Sequence, residues 1–406
     1  MASKKVLVLN AGSSSLKFKL FDEAKSKLVA SVSGLIERIG DTSNSQLVGN
    51  ILSGDNKGKS THKEGIRDHT AALDVAMNYL QDSYSKSVRE QVHAIGHRVV
   101  HGKDVGKAML VTAEIEKLIK DAADLAPLHN PANMEGISAA KSIFPGQPQV
   151  AVFDTAFHQS MSPHAYMYAL PYELYEQNAV RKYGFHGTSY LYLVRQASKM
   201  LNKSENELNI IACHIGAGAS MCAIEKGKCI DTSMGLTPLE GLVMGTRCGD
   251  LDPAVVLYIQ NATGRGPKEM DKLFNKESGL LGMAGKSDVR AILEESAQGS
   301  ERASLAMNVY VHRIRKYIGA YMVHLKGKVD AIVMSAGVGE NSPPVRKLLL
   351  ADLENFGVSI DESKNKQHIG KPGEIQTDDS RVKVLVIPTD EELSIAQQTL
   401  EVIRAQ

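Results

Sequence analysis

One unit occurs twice in this sequence, about half a chain apart. Residues 6–20 run from an apolar stretch (Val6, Leu7, Val8, Leu9) through a small-residue turn (Asn10, Ala11, Gly12, Ser13, Ser14, Ser15) into an alternating stretch (Leu16, Lys17, Phe18, Lys19, Leu20). This pattern predicts a strand, a tight loop and an antiparallel return strand. Residues 210–224 repeat it, with Ile210, Ile211, Ala212 and Cys213 leading through His214 into Gly216-Ala217-Gly218 and out along a second apolar run. Such repetition constrains the chain to two related halves, each aiming one loop at a ligand. In the first loop Gly12 admits close backbone approach. Ser13, Ser14 and Ser15 add hydroxyl and N–H groups, Lys17 points from the return strand, and together they can hold a phosphate. No Gly-Lys-Ser/Thr opens a helix there, so this is not a Walker P-loop. The plain alternative is an ordinary hairpin, because Gly/Ser turns are common.

The 406 residues allow two to three domains with sizeable cores. The formal net charge is +1, which points away from a nucleic-acid or membrane surface and makes any phosphate site local. Cys213, Cys222, Cys229 and Cys248 lie in one central region with no CxxC pair. Buried free thiols are expected there rather than a disulfide framework or a zinc site. That choice, with no signal segment at residues 1–5 and no apolar run of membrane length, leads to a cytoplasmic expectation.

Apolar spacing places a third strand from residue 27 and polar edges and loops over residues 40–62. Helices are expected over residues 69–79, 112–125 and 132–144. A buried strand carries His97, Arg98 and His101, and another, over residues 149–154, ends in Asp154. Carboxyl ends of strands are where ligands sit in α/β folds. A boundary is placed after that strand: residues 1–156 plus 392–406 form one domain and 157–391 the other. The second half begins irregularly, then opens a helix after residues 184–189. It continues through the second hairpin, a Gly/Thr/Pro-rich segment at 232–252, a helix over 303–325, strands at 329–334 and 382–387, and a closing helix at 391–404. The order predicts an α/β chain with mixed sheets.

Four strings resemble the signatures of the acetate kinase family: Asn10-Ala11-Gly12-Ser13-Ser14-Ser15-Leu16-Lys17, Asp154-Thr155-Ala156-Phe157-His158, Gly184-Phe185-His186-Gly187-Thr188-Ser189, and the segment from Asp231 to Gly241. The resemblance runs from Val6 to the closing helix. It implies two RNase H-like domains with mixed sheets around a central nucleotide cleft, as in actin-like ATPases. It also implies reversible phosphoryl transfer between ATP and acetate, giving ADP and acetyl phosphate, with Mg²⁺ (or Mn²⁺) and a homodimer.

Carried over residue by residue, the resemblance puts Arg98 and Arg247 beside the acetate and the moving phosphoryl group, where forked donors match carboxylate and phosphate. His186 and Arg247 then stabilise the transferring group. His129 and His214 take orienting or direct roles nearby, whereas His93, His97, His101 and His158 are read as structural. Asp154 is placed with Arg98, His186 and Arg247 among the catalytic residues. Asn10 and Glu391 fall at metal positions, with Asp154 able to act similarly; Glu391 also reads as a helix-dipole acid, the preferred reading for Glu392. Ser13, Ser15 and Lys17, with His214, Ile215, Gly216, Ala217 and Gly218, form the phosphate positions. Asp288, Val289 and Arg290, with Gly337, Val338, Gly339, Glu340 and Asn341, resemble the adenosine site. Val100, Leu128, Phe185 and Pro238 match the acetate methyl pocket. A branched Val100 predicts propionate as a slower substrate, since one methylene is worth only ~1–3 kcal/mol.

Four positions depart from the family pattern. Ala217 stands where an Asn is usual, removing an amide donor worth on the order of 1.5–3 kcal/mol. This leaves a pyrophosphate-linked enzyme as an alternative, beside a propionate kinase and a non-catalytic nucleotide clamp. Tyr190 replaces a His, read as a packing or supporting change. Lys103 replaces a Gly, and Asp390 replaces an Asn beside the proposed metal position.

Overall fold

The computed structural model describes residues 4–24, 27–53 and 57–406; most of the N-terminal stretch 1–5, and positions 54–56 of the polar 40–62 segment, lie outside them. The chain divides into two compact units, Met1–Phe157 with Asp390–Gln406, and His158–Thr389.

Unit 1 is built on eight strands: β1 (Lys5–Gly12), β2 (Ser15–Ala24), β3 (Lys27–Glu37), β4 (Gln46–Ile51), β5 (Gly58–Lys63), β6 (Val92–Val99), β7 (Met109–Leu110) and β8 (Gln149–Phe153). Their order is β5-β4-β3-β2-β1-β6-β8-β7. β1 to β5 form an antiparallel meander, whereas β1, β6 and β8 run parallel. The pleat sends alternate residues of β1 to opposite faces. Leu7 and Leu9 pack with Leu73, Met77 and Leu80 of the helix His69–Ser83 and with Ala139, Ala140 and Phe144 at the helix Asn130–Ile143. Val6 and Val8 pack with Ile395, Ala396 and Leu400 of the closing helix Glu391–Arg404. Both faces are covered, so β1 and β8 read as continuous apolar runs.

Unit 2 uses six: β9 (Ile210–Ile215), β10 (Ala219–Glu225), β11 (Lys228–Thr232), β12 (Ala331–Ser335), β13 (Gly373–Glu374) and β14 (Lys383–Val386). Their order is β11-β10-β9-β12-β14-β13. Strand for strand, this repeats β3-β2-β1-β6-β8-β7: two antiparallel strands, three parallel ones and an antiparallel edge. The two-hairpin repeat in the sequence is thus a duplicated sheet. Residues 253–297, for which the sequence reading offered no elements, form four helices, Pro253–Thr263, Pro267–Lys276, Gly279–Ala284 and Val289–Ala297.

Candidate active site

In unit 1 the polar residues gather beyond the carboxyl ends of the parallel strands. The register pairs Leu9 with His97 and Arg98 with Val152. Asn10, Arg98 and Asp154 therefore emerge from adjacent strand ends. The hairpin is tight, with Asn10 opposite Lys17 and Gly12 opposite Ser15, leaving Ser13 and Ser14 as its turn. Ser13 and Lys17 are exposed, Ser15 and Asn10 half-buried.

Arg98 is fixed by a forked pair with buried Asp154: Nη2 lies 2.7 Å from Oδ2, and Nε lies 3.1 Å from each carboxylate oxygen. Burial opposes the guanidinium charge, but Asp154, then Glu391, more than offsets it and raises the Arg98 pKa. Nη1 makes no hydrogen bond among the described residues. Asp154, with both oxygens on Arg98, is a positioning group for it. Lys17 pairs with Glu392, and Lys19 Nζ lies 2.9 Å from both oxygens of Asp390, which caps the closing helix through the Leu393 N–H at 3.0 Å. The added negative charge at Asp390 is thereby absorbed by a lysine. Glu392 is held below the usual carboxylate range, burial being outweighed by Lys17. Glu391 is pushed the other way, by burial above all and by Asp154 and Glu392, against the pull of Arg98.

The Glu391 carboxylate and the Asn10 amide make no hydrogen bond or ion pair among the described residues. Hard oxygen donors of this kind, one of them a desolvated carboxylate, fit Mg²⁺, which keeps several waters and needs few protein ligands. Val100 is buried, its N–H donating to Asn133 Oδ1 at 3.1 Å, while Leu128 is 54% exposed. His129 precedes the helix Asn130–Ile143 and is half-buried.

Unit 2 carries the same architecture at the ends of β9 and β12, where His214 pairs with Ser335. His186 holds a left-handed backbone (φ 59°, ψ 21°) at the start of the helix Gly187–Leu201. Non-glycine residues at such angles cost roughly 1–3 kcal/mol and persist where the surroundings enforce them. The enforcement is visible. The Tyr183 and Gly184 N–H groups both donate to the Gly235 carbonyl, at 3.0 and 3.2 Å. Gly184 itself has φ +74°, and a methyl there would lie 2.4 Å from Thr232 Cγ2, so glycine is required.

His186 Nδ1 lies 2.8 Å from Ser220 Oγ, which also bonds the Tyr190 hydroxyl. The imidazole stacks on His214 with centroids 4.2 Å apart. His214 Nδ1 lies 2.9 Å from Ser189 Oγ, itself 2.9 Å from Thr389 Oγ1. Burial pushes the Tyr190 pKa far up, so the phenol keeps its proton. When the phenol donates to Ser220 and Ser220 donates to Nδ1, the His186 proton stands on Nε2. Tyr190, expected as a packing or supporting change, bonds the serine that lies against His186 Nδ1.

Arg247 stands in the irregular 232–252 segment, braced from outside. Leu280 and Leu281 N–H donate to the carbonyls of Met244 and Gly245, each at 2.9 Å. Gly279 makes this approach possible, with φ +60° and the Met244 carbonyl 2.2 Å from where a Cβ would stand. Arg247 Nη1 donates to the Pro238 carbonyl at 3.3 Å. Burial lowers the Arg247 pKa, and among the described residues no carboxylate counters it. Arg247 Nη1 and His186 Nε2 converge on the Gly loop, 3.6 and 3.9 Å from the position of a Cβ on Gly218.

A cavity of ≈750 Å³ opens beside that loop, lined by Gly216, Ala217, Asp288, Val289, Arg290, Gly337, Val338 and Asn341, with Leu280, Leu293 and Tyr310 among the apolar walls. Asp288 caps the helix Val289–Ala297, and its pKa falls to about 2 beside the Arg290 guanidinium. Ile215 is buried at the end of β9. Two residues of the 337–341 run are spent on structure. Gly339 packs under the Met334 carbonyl carbon, and Glu340 Oε1 accepts from the Thr389 N–H at 2.9 Å. Phe185 is buried, with its carbonyl on His158 Nε2 at 2.8 Å, and Pro238 is half-buried.

Two α/β units with duplicated mixed sheets gather polar and charged groups at their strand ends, and the relatives that share this fold make the chain a phosphotransferase. The chain belongs to the acetokinase family, whose model matches residues 5–397. It is 47% identical over 404 residues to the acetate kinase of Clostridium novyi (strain NT), covering 98% of both chains. Among solved structures it resembles Porphyromonas gingivalis acetate kinase (TM-score 0.92, 41% identity, 98% of this chain and 100% of that one). It also resembles a propionate kinase from Francisella tularensis subsp. tularensis SCHU S4 (TM-score 0.89, 41% identity, the same coverage).

Proposed function

We propose that this chain transfers a phosphoryl group reversibly and in line between ATP and acetate, giving ADP and acetyl phosphate. The observation that carries the reading is the convergence of Arg247 and His186 on Gly218, beside a cavity of nucleoside size. Phosphoryl transfer asks a protein for alignment and for neutralisation of charge on the equatorial oxygens. Arg247 meets the second need: its counter-ion arrives with the phosphoryl group. His186 donates from Nε2 to the same oxygens. The N–H groups of Gly216, Ala217 and Gly218 hold the nucleotide phosphates, and the nucleoside lies between residues 288–290 and 337–341. Arg98, preset by Asp154, offers Nη1 to the acetate carboxylate; the residues assigned to the methyl are Val100 and Leu128 in unit 1, and Phe185 and Pro238 in unit 2. Ser13, Ser15 and Lys17 add phosphate donors. Glu391 and Asn10 would hold Mg²⁺, or Mn²⁺ on the same oxygen donors, which would supply neutralisation of the phosphate charge.

The test is acetyl hydroxamate formation from acetate, hydroxylamine, ATP and Mg²⁺. Wild-type protein yields hydroxamate, and His186→Ala and Arg247→Ala lose it by ~10²-fold or more while staying folded. Failure of the wild type overturns the activity; full activity in either variant overturns that residue's role.

Ala217 favours a second reading for the phosphoryl partner: its methyl lines the cavity where an amide would face phosphates. Turnover with orthophosphate or pyrophosphate in place of ADP or ATP would select it, although a cavity of ≈750 Å³ far exceeds what pyrophosphate needs. The propionate kinase likeness makes the acyl series the companion measurement, with propionate expected ~10–200-fold below acetate in kcat/KM.

A second copy of the chain is the proposed partner. The helix Pro253–Thr263 is apolar along most of its length and buries none of its residues, with Leu257 63% and Tyr258 75% exposed. Leu257→Lys should shift the sedimenting species towards monomer. A cytoplasmic setting is supported by four free cysteines; no helix among the described residues is long and apolar enough to cross a membrane.

A further inference from the structure

His158, Cys222 and Cys229 are fully buried, and the proposed reaction uses none of them. We propose that these three side chains bind one thiophilic d¹⁰ divalent metal ion of the zinc type.

The ligand atoms come from three elements: a 3₁₀ turn (Ala156–Ser160), β10 and β11. All lie within 4.8 Å of one another. Cys222 Sγ is 3.4 Å from Cys229 Sγ, and His158 Nδ1 is 3.1 Å from Cys229 Sγ. Metal–ligand bonds of ~2.0–2.3 Å on a tetrahedron give ligand–ligand edges of about 3.3–3.8 Å. The Asp231 carbonyl oxygen lies 3.6 Å from Cys229 Sγ.

The histidine is in the ligating tautomer. Its Nε2 lies 2.8 Å from the Phe185 carbonyl oxygen. A carbonyl only accepts, so Nε2 carries the proton and Nδ1 turns its lone pair to the sulfurs. A second-shell carbonyl fixing the ring in this way is the common arrangement behind metal-bound histidine. Charge points to the class of ion. Two thiolates and a neutral imidazole around a dication sum to zero, which a fully buried site tolerates. Soft sulfur donors exclude Mg²⁺ and Ca²⁺. Binding converts two thiols to thiolates and releases two protons, with no change of oxidation state.

The test uses full-length protein produced in zinc-supplemented medium. Native mass spectrometry and elemental analysis should find one ion per chain, at the metal mass less two protons. Cys222→Ala and Cys229→Ala should each lose it, and removing the ion should lower Tm in the wild type only. Cobalt substitution should add thiolate-to-metal charge-transfer absorption, absent from both variants. Metal-free wild type, equal occupancy in the variants, or a Cys222–Cys229 disulfide in the purified protein would each overturn the proposal. His158→Gln should lose the ion as well; should that variant fail to fold, the two cysteine variants decide the outcome. The readout does not involve phosphoryl transfer, so this site and the proposed activity stand or fall separately.

Discussion

Removing one hydroxyl, in Tyr190→Phe, tests how His186 is held. The Tyr190 ring is fully buried and its hydroxyl bonds Ser220 Oγ, the atom that also lies 2.8 Å from His186 Nδ1. Without the phenol, Ser220 loses the donor that commits its own proton to Nδ1. A neutral hydrogen bond of this kind is worth ~0.5–1.5 kcal/mol net. If that bias is what keeps the proton on Nε2, kcat falls about 2–12-fold, while KM for ATP and acetate stays within twofold. Ser220→Ala removes the atom both partners share, which costs about 2 kcal/mol and roughly thirtyfold in kcat. The double variant should be no slower than Ser220→Ala, because both changes break one chain of bonds. Steady-state kinetics on the four proteins over pH 6–9 measures this. A Tyr190→Phe enzyme with unchanged kcat, or additive losses in the double variant, would refute the reasoning.

Three further outcomes follow from single residues. Lys103 sits at φ 52°, a left-handed angle that glycine adopts freely; Lys103→Gly should therefore stabilise the protein by about 0.5–1 kcal/mol in urea titration. Asp154→Asn removes the buried charge under Arg98, so stability should fall by about 3 kcal/mol and KM for acetate should rise, whereas Arg98→Lys with Asp154 intact should affect acetate binding more than stability. His97 is buried against Gln149 Oε1 at 2.6 Å and its pKa is lowered to about 4. The folded state thus binds fewer protons than the unfolded chain between about pH 4 and 6.5. Stability falls as pH drops through that window, by up to about 1.4 kcal/mol per pH unit. His97→Gln should flatten the pH dependence of urea midpoints there; an unchanged slope would show that His97 is not the group responsible.

The duplicated sheet is legible because its signal is local. Each hairpin announces itself by two apolar runs about a small-residue turn, and period two on β1 sorts Val6 and Val8 from Leu7 and Leu9. The helices of residues 253–297 are not, and Pro253–Thr263 shows why. It carries no buried stripe, so the 3.6-residue contrast that marks a helix is missing. Site residues on strand ends, such as Arg98 and Asp154, can be read from the buried strands that carry them. Groups that meet only through tertiary pairing cannot. His186 and Tyr190 are one helical turn apart and visibly related, yet Ser220 joins them from a strand 30 residues on. Cys222 and Cys229 become neighbours because the β10–β11 register shifts between Ala223 and Ile224, a bulge with no mark in the sequence.

The most direct measurement follows the γ-phosphate of ATP by phosphorus NMR in the presence of acetate and Mg²⁺. The account predicts one acetyl phosphate for each ADP, reversal when those two are supplied together, and no free orthophosphate beyond slow hydrolysis. ATP consumed only to orthophosphate, or left intact beside acetate, would contradict it.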